Sequence, residues 1–402
     1  MNNLTQVRLE PVASPSGGRR RAARIRHQMI HASVVVAAIA IVAFAGVAIQ
    51  QSLAERGIAF SFGYLSRPSQ FNVSEGFATA WNGWWPAFSI VTSESTNLQM
   101  LTAGLFNSIK VALLAIIFST VIGVIFGIAR LSTNWLIRQL AFIVVEFVRN
   151  TPLLIQVVFW YFAFFLRLPP VTDAANVEKW FVFGQSGLFL PVPHISDGVA
   201  PVSFVFVAVA IGLMFVACWP RLSSGRRWAL LGAGIVTAGA AYATGFRIDM
   251  ALPVVGRFGA VGGIQLSPEM SAILIAVIVN SAAYIAEIVR GAIEGLPKGQ
   301  WEAAAAIGLS RRDTIRDVIL PQVFRIILPS LANRYISLTK DTSLGIAIGF
   351  PDLFNVSGTV ANQSGHSIET VLIVMAVYLL LSWVISAFIN FLNGRVVLDG
   401  PR

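Results

Sequence analysis

The sequence predicts an all-α integral membrane protein with about eight transmembrane helices. Of its 402 residues, 56% are hydrophobic and only 12% are charged, whereas a soluble domain carries about 25% charged residues. The hydrophobic residues form runs close to the length of about 20 residues that a helix needs to cross a bilayer. The basic residues fall mainly between those runs, which is typical of proteins that follow the positive-inside rule.

Eight apolar runs predict the transmembrane helices. The first run follows the polar segment 1–28 and has 22 residues, which is too long for the apolar region of a signal peptide. Gly123 and Gly127 have the Gly-x-x-x-Gly spacing that allows close helix approach, and Pro152 predicts a kink in the third helix. The predicted spans are about 29–50, 103–129, 141–166, 202–219, 228–246, 270–289, 335–350 and 370–392.

The distribution of lysine and arginine predicts the topology. With these spans, the inside segments hold 20 basic residues and the outside segments hold 6. This imbalance predicts that both termini and the segment 290–334 lie in the cytoplasm. Three further basic residues fall within spans, namely Lys110, Arg149 and Lys340.

The composition argues against several other classes of protein. The sequence has no soluble domain that would carry a nucleic-acid-binding face, so we expect no nucleic-acid partner despite the net charge of +10. The single cysteine, Cys218, and the four scattered histidines lack metal-ligand spacing. No lysine follows a glycine, so the sequence has no Gly-x-x-x-x-Gly-Lys phosphate loop. We therefore expect no cofactor and no ATPase site in this chain.

The polar segment 290–334 predicts a helix–turn–helix. Pro297 is suited to a helix start, and the alanine-rich stretch 300–307 favours a helix. Gly308 allows the left-handed conformation that ends a helix, and Ser310 is a good N-cap for a second helix that we expect to stop at Pro321. An ordinary connection is the alternative, but connections of this length without a function are uncommon. We interpret the segment as a docking element for another protein.

Four sequence motifs resemble motifs of ABC importer permeases. Glu302-Ala303-Ala304, Gly308 and Ile319-Leu320-Pro321 are similar to their EAA motif, with ten residues between Gly308 and Ile319. The other three resemble the polar amino-acid branch, which includes histidine and glutamine permeases. They are Tyr284–Gly291 with Pro297–Ala304, then Arg149-Asn150-Thr151-Pro152-Leu153-Leu154-Ile155-Gln156 (with Asn150 in place of Gly), and Lys340-Asp341-Thr342-Ser343-Leu344.

The resemblance spans roughly residues 101–391 and implies a type I importer core with an extra N-terminal helix and a two-helix insertion. This enlarged form resembles a permease subunit of the bacterial general L-amino-acid (glutamate/glutamine/aspartate/asparagine) transporter. The implied organisation is a cytoplasmic segment 1–28, an extra helix with a periplasmic loop 29–100, the transmembrane domain 101–392 with its insertion at about 167–268 and its coupling loop 290–334, and a cytoplasmic tail 393–402.

The resemblance also implies a function and partners. The chain would translocate L-amino acids across the bacterial inner membrane, together with a pair of ATPase subunits that bind ATP, a second homologous permease subunit and a periplasmic amino-acid-binding protein. The residues implied in ATPase coupling are Gln300, Glu302, Ala303, Ala304, Gly308, Leu309 and Pro321.

Polar residues inside spans are the candidates for the translocation pathway, because charges in a membrane are costly and usually functional. Two of the charged candidates have a residue of opposite charge three positions away on the same helix face. The pairs are Glu146 with Arg149 and Glu287 with Arg290, and in each pair the two charges can simply neutralise each other. Lys340 and its neighbour Asp341 point about 100° apart on a helix, so we expect them to need partners on other helices. The pathway candidates are Arg149, Thr151, Glu287, Lys340, Asp341, Thr342 and Ser343.

Two alternatives stay open at this point. A permease for another solute, such as an opine or a sugar, would share the same motifs. An ion-coupled secondary transporter would need no docking element and would favour repeated halves with interrupted helices, and we find no such repeat. Copurification with an ATPase and loss of uptake without ATP distinguish the ABC importer from the secondary transporter.

Overall fold

The computed structural model describes residues 60–396, apart from 83–84, 172–175, 178–179, 196–198, 219–222 and 257–258, and some single residues between 29 and 55. The chain divides into two units, residues 1–63 and 64–402. The predicted first span, 29–50, lies largely outside the described residues, although those described there are helical.

Helices make up most of this unit. By length and composition, three of the described helices can cross a membrane, or up to five if each of two bent pairs is one span. The all-α class is confirmed, whereas the count of eight spans is not. The helices are α1 (Asn97–Ala129), α2 (Trp135–Asn150), α3 (Leu153–Val158), α4 (Pro201–Ala217), α5 (Ser224–Ala243), α6 (Pro268–Glu294), α7 (Lys298–Ala306), α8 (Arg311–Asp313), α9 (Leu320–Asp341), α10 (Leu353–Ser364) and α11 (Ser367–Val396).

The pairing of α1 with α6 forms the centre of the bundle. A Cβ atom on Gly123 would lie 2.6 Å from the Cβ of Ile285, and one on Gly127 would lie 2.8 Å from the carbonyl oxygen of Ala286. Any larger residue at either glycine would therefore push the two helices apart. The Gly-x-x-x-Gly spacing marks a real helix contact, as predicted.

The chain breaks sharply between α2 and α3. The segments Trp135–Asn150 and Leu153–Arg167 meet at an angle of 102°, and the second continues from α3 through a π-helical stretch to a final 3-10 turn. Pro152 has no N–H group to continue the α2 hydrogen bonds, and Thr151 closes α2 by donating its N–H to Val148 O at 3.3 Å. The predicted kink is confirmed.

The second helix of the polar segment 290–334 does not stop at Pro321, contrary to prediction. The chain runs from α8 through a π-helical stretch, Thr314–Ile319, directly into α9. Pro321 occupies the first turn of α9, where the missing N–H costs least. The wider π-helical turn before it also relieves the clash that proline makes with the preceding carbonyl groups. The helix that contains the start of the predicted span 335–350 therefore begins 15 residues earlier, at Leu320, and a 3-10 helix, Thr342–Ile348, follows it.

The described residues of the segments predicted as outer loops form ten short strands. Two of them, β1 (Phe77–Asn82) and β2 (Trp85–Ile90), form an antiparallel hairpin before α1. The others belong to the insertion, where β10, β5, β4 and β3 form one antiparallel sheet in that order, and β6 pairs with β7 and β8 with β9. These eight are β3 (Asn176–Val177), β4 (Phe181–Gly184), β5 (Gly187–Leu190), β6 (Val192–Ile195), β7 (Ile248–Ala251), β8 (Val254–Gly256), β9 (Gly259–Val261) and β10 (Ile264–Leu266).

The segment before β1 is attached to the bundle by specific contacts. The Tyr64 ring stacks on the His366 ring at 4.7 Å, and its hydroxyl forms a 2.8 Å hydrogen bond with Thr370. Burial raises the pKa of Tyr64. Glu75 forms an ion pair of 3.4 Å with Lys110 on α1, and its other carboxylate oxygen accepts a hydrogen bond from the Ser267 N–H before α6. The segment thus ties together the ends of several helices.

Candidate functional site

Helix α7 ends in a tight turn that requires glycine. Gly308 has φ +76°, a left-handed conformation that other residues adopt at a cost. Its N–H donates to Ala305 O at 3.0 Å, and the Leu309 N–H donates to Ala304 O at 3.1 Å. These two bonds satisfy carbonyl groups at the end of the helix. The predicted glycine turn is therefore present, at the end of a helix that spans Lys298–Ala306.

The second arm of the loop starts with a side-chain cap. Ser310 Oγ accepts a hydrogen bond from the Asp313 N–H at 3.2 Å and donates one to Asp313 Oδ2 at 2.6 Å. The Thr314 hydroxyl donates to Ser310 O at 2.9 Å. The predicted N-cap is present, and it sets the direction in which the chain leaves the glycine turn.

Side chains hold the two arms together. Gln322 Nε2 on α9 donates to Gln300 Oε1 on α7 at 3.0 Å. Trp301 packs against a buried cluster that includes Leu296, Ile319 and Val323. These contacts connect α7 to the start of α9, which enters the bundle.

The outer face of α7 is exposed and has small side chains. Glu302 and Ala303 are exposed, whereas Ala304 is buried. Ile307, at the end of the helix, is 76% exposed. This large apolar side chain beside alanines forms a shallow surface against which another protein can pack closely.

Glu287 lies at the centre of an ion-pair network that joins α1, α2 and α6. It contacts Arg130 at 2.6 Å and Arg290 at 2.6 Å. Arg149 contacts Glu146 at 3.1 Å, and Arg130 reaches the same carboxylate at 3.4 Å. The self-neutralising pairs expected from the sequence are therefore both formed, and Arg130, which the sequence placed in a loop, bridges them.

A second polar cluster surrounds the Tyr284 ring. The guanidinium group of Arg149 lies 5.6 Å from the ring centroid, and that of Arg334 lies 4.7 Å from it. Nη2 of Arg334 contacts Asp341 at 3.3 Å and donates hydrogen bonds to Asn280 and Ser281. The Nε atoms of both arginines are buried and have no hydrogen-bond partner among the described residues.

The partner of Asp341 differs from the prediction. It is Arg334 on the same helix, two turns earlier, rather than a residue of another helix. Sequence reasoning assigned Arg334 to the loop because it placed the start of the helix too late. The seven-residue spacing from Arg334 to Asp341, which puts both on one helix face, was the available signal.

The other candidates lie apart from the Tyr284 cluster. Lys340 is exposed and forms no ion pair among the described residues, Thr342 is buried, and Ser343 bonds only to the Lys340 carbonyl group. Thr151 lines a small cavity at the break between α2 and α3 together with Gln156. Gln156 donates to Val148 O and Thr151 O, so it satisfies carbonyl groups that the break exposes.

A bundle of long apolar helices joined through a polar helical loop with an exposed face defines an integral membrane protein. A family described as binding-protein-dependent transport system inner membrane component matches residues 119–398. The chain belongs to this family. Membership implies ATPase partners and a substrate-binding protein.

Three relatives each cover between 76% and 93% of this chain. General L-amino acid transport system permease protein AapQ of Rhizobium johnstonii is 36% identical over 359 residues, which are 86% of this chain and 86% of that protein. Putative amino-acid ABC transporter permease protein YhdX of Escherichia coli is 34% identical over 385 residues, with 93% and 95% covered. Glutamate/glutamine/aspartate/asparagine transport system permease protein BztB of Rhodobacter capsulatus is 30% identical over 348 residues, with 76% and 81% covered. The resemblance to amino-acid ABC importer permeases is confirmed.

Proposed function

We propose that this chain translocates L-amino acids, with glutamate, glutamine, aspartate and asparagine among its substrates, across the bacterial inner membrane in an ATP-driven importer. The observation that carries the proposal is the connection from the exposed face of α7 to the Arg334–Asp341 pair. After the glycine turn, α8 and the π-helical stretch lead directly into α9, which carries the pair, and the Gln300–Gln322 hydrogen bond joins α7 to α9. The names of the relatives AapQ and BztB support the substrate class. In this proposal both termini lie in the cytoplasm.

Coupling to ATP begins at the exposed face of α7. Glu302, Ala303 and the neighbouring Ile307 sit in a cleft of the ATPase, with Gly308 and Leu309 forming the turn that orients them. When ATP draws the two ATPase subunits together, α7 moves as one body with α9 because Gln300 and Gln322 connect them. A two-state bundle biased by a ligand on another chain is what a coupled transporter requires.

The pathway passes the Tyr284 cluster. A zwitterionic amino acid presents a carboxylate and an ammonium group, and the cluster offers both charge signs in Arg334 and Asp341. The unpartnered Nε atoms of Arg149 and Arg334 supply further donors for the carboxylate. Of the sequence candidates, Arg149 and Asp341 are favoured by this geometry and Glu287 serves the ion-pair network, whereas Thr151, Thr342 and Ser343 lie apart from the cluster and stay sequence-based predictions.

The domain organisation follows the same proposal. The core is 101–392 with its coupling loop at 290–334, a second homologous permease chain completes the pathway, and ATP is hydrolysed on the ATPase pair. In this proposal 29–100 contributes an extra transmembrane helix and a periplasmic loop, the insertion at about 167–268 adds two further helices, and 1–28 and 393–402 face the cytoplasm.

Uptake by the reconstituted complex tests the function. Proteoliposomes that contain both permease chains and the ATPase pair are supplied with the binding protein and a panel of radiolabelled amino acids. We expect uptake of the four acidic and amide amino acids that requires ATP inside the vesicles. Uptake of an opine or sugar instead would assign another solute, and uptake driven by an ion gradient without ATP would overturn the importer.

Lys340 is the candidate that the geometry favours least, since it forms no ion pair among the described residues and is exposed. In the same vesicles with saturating binding protein, Lys340→Met is compared with Asp341→Asn. We expect Asp341→Asn to lower uptake and to alter selectivity. Lys340→Met with wild-type affinity and selectivity would remove Lys340 from the pathway.

A further inference from the structure

The insertion contains a groove between α4 and α5 that transport, as proposed above, does not use. The two helices are joined at one end, where Ser203 Oγ donates to Thr244 O at 2.9 Å. Further along they approach closely at Gly234, where a Cβ atom would lie 3.0 Å from Met214. The groove between them has a volume of about 680 Å³, within the usual range for small-molecule sites.

The groove is apolar along most of its length and charged at its mouth. Its walls include Val207, Ile211, Met214 and Ala238. Ile211 is 63% exposed, so the groove is open along its side. From the level of Met214, beside Gly234, to the end of α5 at Ala243 it follows two and a half helical turns, a length of about 14 Å at 1.5 Å per residue.

Opposite charges meet at the mouth. Arg247 and Asp249 line the groove just after the end of α5. The guanidinium group of Arg247 lies 5.4 Å from the centroid of the Tyr242 ring, and this cation–π contact holds it at the rim. A ligand that fits both ends needs a long apolar chain and a head that bears an anion and a cation close together.

We propose that this groove binds a zwitterionic phospholipid, phosphatidylethanolamine. One acyl chain lies between α4 and α5, Arg247 pairs with the phosphate and Asp249 with the ammonium group. The inference rests on the proposed function, because α4 and α5 must lie in the bilayer with the mouth on the outer face. A helix from a second subunit would fill the apolar part, but it would not offer a phosphate and an ammonium group to this pair.

Photolabelling of the complete transporter tests the site. The complex is placed in phosphatidylglycerol vesicles that contain a trace of phosphatidylethanolamine with a photoreactive acyl chain, and labelled peptides from α4 and α5 are measured by mass spectrometry. Ala238→Trp fills the groove and should lower labelling about tenfold, as should Arg247→Gln through loss of a charged hydrogen bond. Val236→Trp, on an exposed part of α5 outside the groove, is the matched control and should label like the wild type.

Three outcomes would overturn the proposal. They are equal labelling of the wild type and Ala238→Trp, equal labelling by a photoreactive phosphatidylglycerol probe, and a cross-link to another protein chain in place of lipid. Labelling requires neither ATP nor an amino acid. Failed uptake together with groove-dependent labelling would therefore count against the transport function alone. Normal uptake together with labelling that is the same in the wild type and Ala238→Trp would count against the lipid site alone.

Discussion

Arg130 and Glu287 join the end of α1 to α6 through a contact of 2.6 Å between Nη1 and Oε2. The side chain of Arg130 is only 8% exposed, and its guanidinium group also lies 5.3 Å from the centroid of the Phe142 ring on α2. Three helices therefore converge on one buried cation near the start of the polar segment 290–334. The charge of Glu287 compensates a buried guanidinium group that is costly to leave unpaired.

Replacing Glu287 should destabilise the bundle. We expect Glu287→Gln to lower the free energy of unfolding by about 2 kcal/mol, less than for a fully buried pair because Glu287 is partly exposed. The measurement is the thermal unfolding midpoint of the detergent-purified complex. Glu294→Gln is the control, since Glu294 also pairs with Arg290 but is 54% exposed and should change stability by less than about 1 kcal/mol. Equal shifts for both variants would contradict a central role for Glu287.

Gly308 should be required for coupling rather than for folding of the bundle. Its φ of +76° disfavours a β-branched side chain, so Gly308→Val should distort the turn after α7. We expect normal insertion into the membrane, with ATP-dependent uptake reduced at least tenfold. Gly299→Ala, inside α7 where a Cβ meets no atom within 4 Å, should leave uptake unchanged because alanine favours helix. Normal uptake by Gly308→Val would refute the assigned role of the turn.

The contact between α1 and α6 should not tolerate even one methyl group. A Cβ atom at Gly123 would lie 2.6 Å from that of Ile285, so we expect Gly123→Ala to cost about 1–3 kcal/mol through overpacking. The unfolding midpoint of the purified complex measures this cost. Gly291→Ala on α6, where a Cβ meets nothing within 4 Å, provides the control and should be neutral or slightly stabilising. Equal unfolding midpoints for the two variants would contradict the close contact between α1 and α6 at Gly123.

The segment before β1 should be held to the bundle through Glu75. We expect Glu75→Ala to make residues 64–76 more sensitive to limited proteolysis, because the bonds to Lys110 and to the Ser267 N–H are both lost. Glu75→Gln should have a smaller effect, since its amide oxygen still accepts from the Ser267 N–H. The exposed Glu94 forms no ion pair among the described residues, and Glu94→Ala should cleave like the wild type. Identical cleavage of all four proteins would show that Glu75 is not the attachment.

Local features were the ones predicted correctly. The glycine turn at Gly308, the Ser310 cap and the break at Pro152 all depend on backbone preferences of a few adjacent residues, which are the same in any context. The strands of the outer segments were missed because they are short and pair across sequence-distant segments; β10, for example, pairs with β5. Such pairing depends on neighbours that periodicity within one segment does not reveal.

The sequence by itself determined the membrane class, the motif-bearing loop and the family, because hydropathy, charge bias and motif order are properties of the linear chain. Tertiary structure decided which charged groups come together: Arg130 pairs with Glu287, 157 positions apart, and Arg149 and Arg334 both lie close to the Tyr284 ring. It also decided that the helix continues through Pro321. In each case the outcome depends on packing between helices, which compensates a buried charge or a missing hydrogen bond with groups that are distant in sequence.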